Sequence, residues 1–120
     1  MKRTSAVNDG AVVQLGASNV VEPRVAGAVL GVALGCRVVE VQNNPDDPVE
    51  TLLLCEVAMH CDAQATISGS APASGGAIYA TEDGRVSATV SGASIGILCP
   101  KALSETTDYI DGDLVNVVLT

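Results

Sequence analysis

Glu82-Asp83-Gly84 is a tight acidic turn set between two runs of alternating polar and apolar residues, and it restricts the fold more than any other stretch. A three-residue loop with Gly84 in the left-handed conformation closes a bulged β-hairpin. That loop opposes Ala80 to Val86 and Ile78 to Ala88, so apolar residues share a face. A two-residue Asp83-Gly84 loop would instead oppose Ala80 to Ser87 and Ile78 to Thr89, mixing the faces. The alternation selects the longer loop. A Ser/Gly break follows, and then Ile95-Gly96-Ile97-Leu98, an apolar strand stopped by Cys99-Pro100.

The rest of the chain extends this β pattern. Leu30, Val32, Leu34, Cys36 and Val38 form one face of a strand or strand pair, with a break expected near Gly35. Asn43-Asn44-Pro45-Asp46-Asp47-Pro48 continues neither regular structure and reads as a solvated turn. Its paired aspartates lack the alternating ligands and central glycine of a calcium loop. Between Val49 and Asp62 a strand competes with a short helix around Leu52–Met59, because Leu, Glu, Ala and Met favour helices. Ile67 anchors a further short strand, and Leu114–Thr120 ends the chain as a β-branched strand tied into a sheet. Residues Met1 to Gly27 are less regular. Val12-Val13-Gln14-Leu15 fits a short strand, but with Pro23 and few apolar residues the whole segment is expected to be an extended arm ordered against a neighbour. The expected architecture is mainly β: a small β-sandwich or β-barrel over residues 28–120, with an N-terminal arm over residues 1–27 and room for one short helix.

Composition limits the core and the partners. Phe and Trp are absent and Tyr79 and Tyr109 are the only aromatics, so the interior must be aliphatic. Each such side chain buries less area than an aromatic one, which favours completion of the core in an oligomer or on a partner. A net charge of −8 with six scattered Lys and Arg residues argues against a nucleic-acid partner. The apolar run Val25–Val41 is broken by Arg37 and by glycines, so no membrane span is expected. Met1-Lys2-Arg3 is followed by polar residues rather than the apolar core of a leader, which points to cytoplasmic synthesis.

No stretch carries a catalytic or cofactor motif, and neither a cofactor nor a metal is expected. Cys36, Cys55, Cys61 and Cys99 lack zinc-site spacing and stand in apolar surroundings, where buried reduced thiols are the expectation. His60, Cys61, Asp62 and Cys55 are the best candidates for a small β-barrel enzyme or ligand-binding domain, yet no second segment offers them a partner. Ser68-Gly69-Ser70 is not a nucleophile elbow, and Gly75-Gly76 is not followed by the Lys of a phosphate loop.

Three segments taken in order carry a resemblance: Gly75-Gly-Ala-Ile-Tyr-Ala-Thr-Glu-Asp-Gly-Arg-Val-Ser87, Ile95-Gly-Ile-Leu98, and Asp111-Gly-Asp-Leu-Val-Asn-Val-Val-Leu119. Over residues 65–120 the chain resembles the small capsid decoration (cement) proteins of tailed bacteriophages. The resemblance implies a non-enzymatic subunit on the outer surface of the expanded head, made in the host cytoplasm and placed as a homotrimer at three-fold or quasi-three-fold sites. It would clamp neighbouring major capsid proteins. The first half of the chain departs from that pattern. Capsid contacts are expected from the arm (Lys2, Arg3, Val12, Val13, Leu15), the Asn43–Pro48 loop (Asn43, Asn44, Asp46, Asp47) and the turn tip (Glu82, Asp83, Arg85). Another virion component, such as a head-fibre base or a tail or baseplate subunit, is the alternative.

Overall fold

The computed structural model describes residues Met1 to Thr120 and is mainly β, with nine strands in two antiparallel sheets. The first sheet has the order β2-β1-β3-β4 and is built from β1 (Val12–Leu15), β2 (Val21–Pro23), β3 (Gly31–Val41) and β4 (Glu50–Ala58). The second has the order β5-β9-β8-β6-β7 and is built from β5 (Asp62–Thr66), β6 (Gly76–Ala80), β7 (Val86–Ser87), β8 (Gly96–Leu98) and β9 (Leu114–Leu119). Of the two readings of Leu52–Met59 the strand holds and the short helix is absent, because the stretch pairs with β3 as far as Ala58. Tertiary pairing overrides its helix propensity.

Residues Met1 to Gly27 do not form a free arm. They supply two strands and a closing strip to the first sheet. Lys2 and Arg3 bridge β4 and β2, and the backbone bonds Arg3 N–H to Leu53 O (3.0 Å) and Thr4 N–H to Val21 O (2.8 Å) tie the strip to both edges. The four strands thereby curl into a half-barrel whose edges are joined. Inside it lie Val7, Val13, Val21, Ala33 and Cys55, all buried. The sparse apolar residues of this segment suffice because four of them, Val7, Val12, Val13 and Val21, are fully buried and the strip's backbone is bonded to both sheet edges.

The larger core lies between the sheets. Val12 and Val32 face it from the first sheet. Ile78, Leu98, Val115 and Val117 are among the residues that face it from the second, with Ile67 between strands. In β9 the alternation is complete: Val115, Val117 and Leu119 are buried while Leu114, Asn116 and Val118 are exposed. A strand with one face on a core and one in solvent has this pattern.

The hairpin has the register expected from its turn. Ala80 pairs with Val86, Gly84 has φ +75°, and Thr81 N–H donates to Arg85 O at 2.9 Å. Pairing stops at Tyr79 and Ser87, one step short of the expected Ile78–Ala88 pair, because the chain bends at Ala88. Ile78 pairs on its other side with Gly96 of β8. The turn also joins the two sheets, since Val12 N–H donates to Gly84 O at 2.7 Å. A Cβ on Gly84 would sit 3.2 Å from Val12 O. Gly84→Ala therefore combines left-handed strain of about 1 kcal/mol with crowding at the joint. Urea unfolding of this variant should show a loss of about 1–2 kcal/mol relative to wild type.

Candidate functional site

The molecule is elongated. Its radius of gyration is 16.3 Å with extents of 59 × 30 × 22 Å, whereas a compact chain of this length has about 14 Å. The outer halves of β3 and β4 account for the difference. Beyond the half-barrel, residues 38–53 form a two-stranded hairpin, and none of them belongs to either buried cluster. At about 3.4 Å per residue, the run from Arg37 to Pro45 projects roughly 25 Å.

A bulge at the root of this hairpin sets its direction. Pairing shifts between Leu34 and Arg37, so that Gly35 and Cys36 together oppose Cys55, and Gly35 takes φ +61°. This is the break expected near Gly35, and a bulge bends its strand and increases the twist. The bulge frees the Cys36 N–H, which donates to Asp9 Oδ1 at 2.8 Å. That bond holds the Asp9 carboxyl below its ordinary value of 3.8. Partial burial, reinforced by the adjacent carboxylate, pushes the Cys36 thiol up to about 11. Arg3 braces the same root, donating from Nε to Leu54 O (2.9 Å) and from Nη2 to Arg37 O (3.2 Å), one bond to each strand.

Pairing places Val39, Val41, Leu52 and Leu54 on one face of the hairpin and Val38 and Leu53 on the other. Val38 is 60% exposed, and Val49 near the tip is 54% exposed. At the end, Asn44 O accepts from Asp47 N–H (3.0 Å), and Gln42 Nε2 donates to Asp47 O (2.7 Å), so the loop is a self-bonded turn. Two-stranded ribbons without a third strand or a covering layer are marginal in water. Here the ribbon carries six Val and Leu side chains between residues 38 and 53, and none of them belongs to either buried core.

The residues anticipated as contacts separate into three groups. Asn43, Asn44, Asp46 and Asp47 are exposed at the hairpin tip, and Lys2 and Leu15 are exposed on the half-barrel. Val12 and Val13 are wholly buried, one in each core, and cannot meet a partner in the folded state. Arg3 is half-buried and braces the hairpin root. Glu82 and Asp83 are exposed, but the turn that bears them is docked on β1, and Arg85 lies 3.6 Å from Asp111. The aliphatic flanks of the hairpin are not among the contacts anticipated from the sequence, where they read only as apolar strand runs on either side of a Pro/Asp loop.

The alternative chemical site does not assemble. His60 is exposed in the β4–β5 turn with φ 52°, and Cys55 is buried inside the half-barrel. No three His, Cys, Asp or Glu side chains are grouped so as to hold a metal ion. The mainly apolar cleft between the sheets, bordered by Val32, Leu34, Ala58 and Leu114, holds about 170 Å³, below the usual 300 Å³ or more of small-molecule sites. Two larger hollows of about 450 and 460 Å³ are shallow and open, and polar residues make up at least half of their lining. All four cysteines are free, but only Cys55 is buried. Cys36 and Cys99 are half-buried and Cys61 is exposed, which corrects the expectation of four buried thiols. Tyr109 Oη donates to Cys99 O at 2.7 Å, and burial pushes its hydroxyl pKa up. No helix is long and apolar enough to cross a membrane. Comparison with protein-family models, curated proteins and solved structures found no match.

Two measurements check the root of the hairpin. In a thiol titration at pH 8, Cys61 should react first and Cys36 far more slowly than a free thiol, because little of it is thiolate two or more units below its pKa. Asp9→Asn should accelerate Cys36 by lowering that pKa. The same variant should lose the acid-side contribution of Asp9. A carboxyl held low stabilises above its unfolded value of 3.8, and that stabilisation disappears as pH falls through the lower folded value. Separately, Arg3→Ala should cost about 1–3 kcal/mol and speed hydrogen exchange across residues 38–53, with smaller changes in β9.

Proposed function

We propose that this chain is a capsid decoration protein, a structural subunit that binds the outer surface of an expanded phage head and stabilises contacts between major capsid proteins. The observation that carries the reading is the projecting hairpin, an aliphatic ribbon whose own fold gives it no covering layer. A protein that works alone gains nothing from keeping such surface in water, where full burial of each Leu or Val is worth about 1.5–3 kcal/mol. A subunit that completes its burial on a shell does. The segments bearing the resemblance support the same reading, because they fall together as β6–β7, β8 and β9 of the second sheet. That sheet serves as the common scaffold, and the divergent first sheet carries the attachment. A homotrimeric arrangement at three-fold sites and a virion location belong to this proposal.

Binding many copies would stabilise the shell by mass action, by about 2.7 kcal/mol per site at a free concentration 100-fold above Kd. The test is co-sedimentation of purified protein with expanded and unexpanded heads of the phage that encodes it. Saturable binding to expanded heads alone, with a higher temperature of head disruption, is expected. Absence of binding to either form overturns the reading.

A further inference from the structure

We propose that the β3–β4 hairpin docks face-down into an apolar groove on a different protein, and that Lys and Arg residues rim that groove. This inference rests on the shell-binding reading and names the chemistry of the surface met there. Its first support is charge. Between Val38 and Leu53 the chain has four carboxylates, Glu40, Asp46, Asp47 and Glu50, and no Lys, Arg or His. Three of them border the aliphatic face, Asp46 and Asp47 at the tip and Glu50 opposite Val41, while Glu40 lies on the reverse face with Val38. An apolar strip framed by one sign of charge fits an apolar floor framed by the other.

The second support excludes another copy of this chain as the occupant. Two hairpins packed face to face would bring six carboxylates together, Asp46, Asp47 and Glu50 of each copy, with no Lys, Arg or His between Val38 and Leu53 to offset them. Nor does the rest of the chain present a basic rim. Arg24 donates to Gly27 O and Thr81 O, Arg37 pairs with Glu56 at 2.8 Å, and Arg85 lies 3.6 Å from Asp111. Arg3 is committed to the hairpin root, and Lys101 stacks 4.8 Å from the centre of the Tyr109 ring. Only Lys2 remains uncommitted. The third support is mechanical. Arg3 and the Asp9–Cys36 bond fix the root at both strands, so the hairpin meets its partner with its direction already set. Preorganisation of this kind lowers the ordering cost of association.

The experiment uses full-length protein and expanded heads, with wild type, V39S/L52S and D46K/D47K compared by co-sedimentation at low and high salt. Circular dichroism and near-wild-type thermal unfolding establish that each variant is folded. Removing two aliphatic side chains from the docking face should weaken binding by about tenfold or more at every salt concentration. Reversing the tip charges should slow association by about tenfold at low salt, and high salt should shrink the difference. If wild type binds and both variants bind equally well, the hairpin inference is overturned while the shell-binding reading stands. If wild type does not bind, both fall. Sedimentation velocity supplies a partner-independent check. Self-association of wild type that V39S/L52S abolishes would make a second copy the occupant and overturn the inference.

Discussion

Both cores depend on one pair of adjacent positions in each of two strands. In β1 and β3, Val12 and Val32 are cross-strand partners facing the second sheet, while Val13 and Ala33, one residue further along each strand, enter the half-barrel. A strand sends successive side chains to opposite faces, so a segment buried on both sides must be apolar at every position. The requirement is met over very few residues. It explains how a chain without Phe or Trp builds two small cores in place of one large one, with the first sheet as the wall between them.

The wall is also the base of the projecting hairpin. β3 starts as a fully enclosed strand at Gly31–Ala33 and ends as one side of an exposed ribbon, with the Gly35–Cys36 bulge at the transition. The enclosed part fixes where the ribbon begins, and the bulge, Asp9 and Arg3 fix where it points. The carboxylates along the ribbon have a second effect. Glu40 and Glu50 lie on its two strands and Pro45 and Pro48 at its tip, features that discourage edge-to-edge pairing with other chains. The faces are left as the surfaces open to a partner.

Most of the second sheet was legible in the sequence. The Glu82–Gly84 turn chemistry, the Val-rich alternation of β9 and the proline after β8 each act locally, and local signals survive in a single sequence. The half-barrel was less legible. Val12-Val13 shows no alternation because both faces are covered, and Met1–Thr4 has no strand signature because backbone pairing to β4 and β2 holds it. Leu52–Met59 carries helix-forming residues and is settled only by its partner β3. The hairpin tip was visible through Asn43–Pro48, but the shared aliphatic face behind it was not. Val39 and Leu52 are neighbours only through a pairing register that no single stretch encodes.

The order of strands along the chain also sets an order of assembly. Every strand of the first sheet precedes Met59, and every strand of the second follows Cys61. Synthesis from the N-terminus can therefore complete the first sheet while the second is still missing. The second sheet cannot follow the same course, because β9, an interior strand, is the last of its strands to be made and joins β5 to β8. Until β9 arrives, β5 has no partner in that sheet and Val12 and Val32 lack their complete cover. These distant pairings make the final step a slow closure over long loops. A growing chain is most exposed to wrong associations in the interval just before that strand emerges.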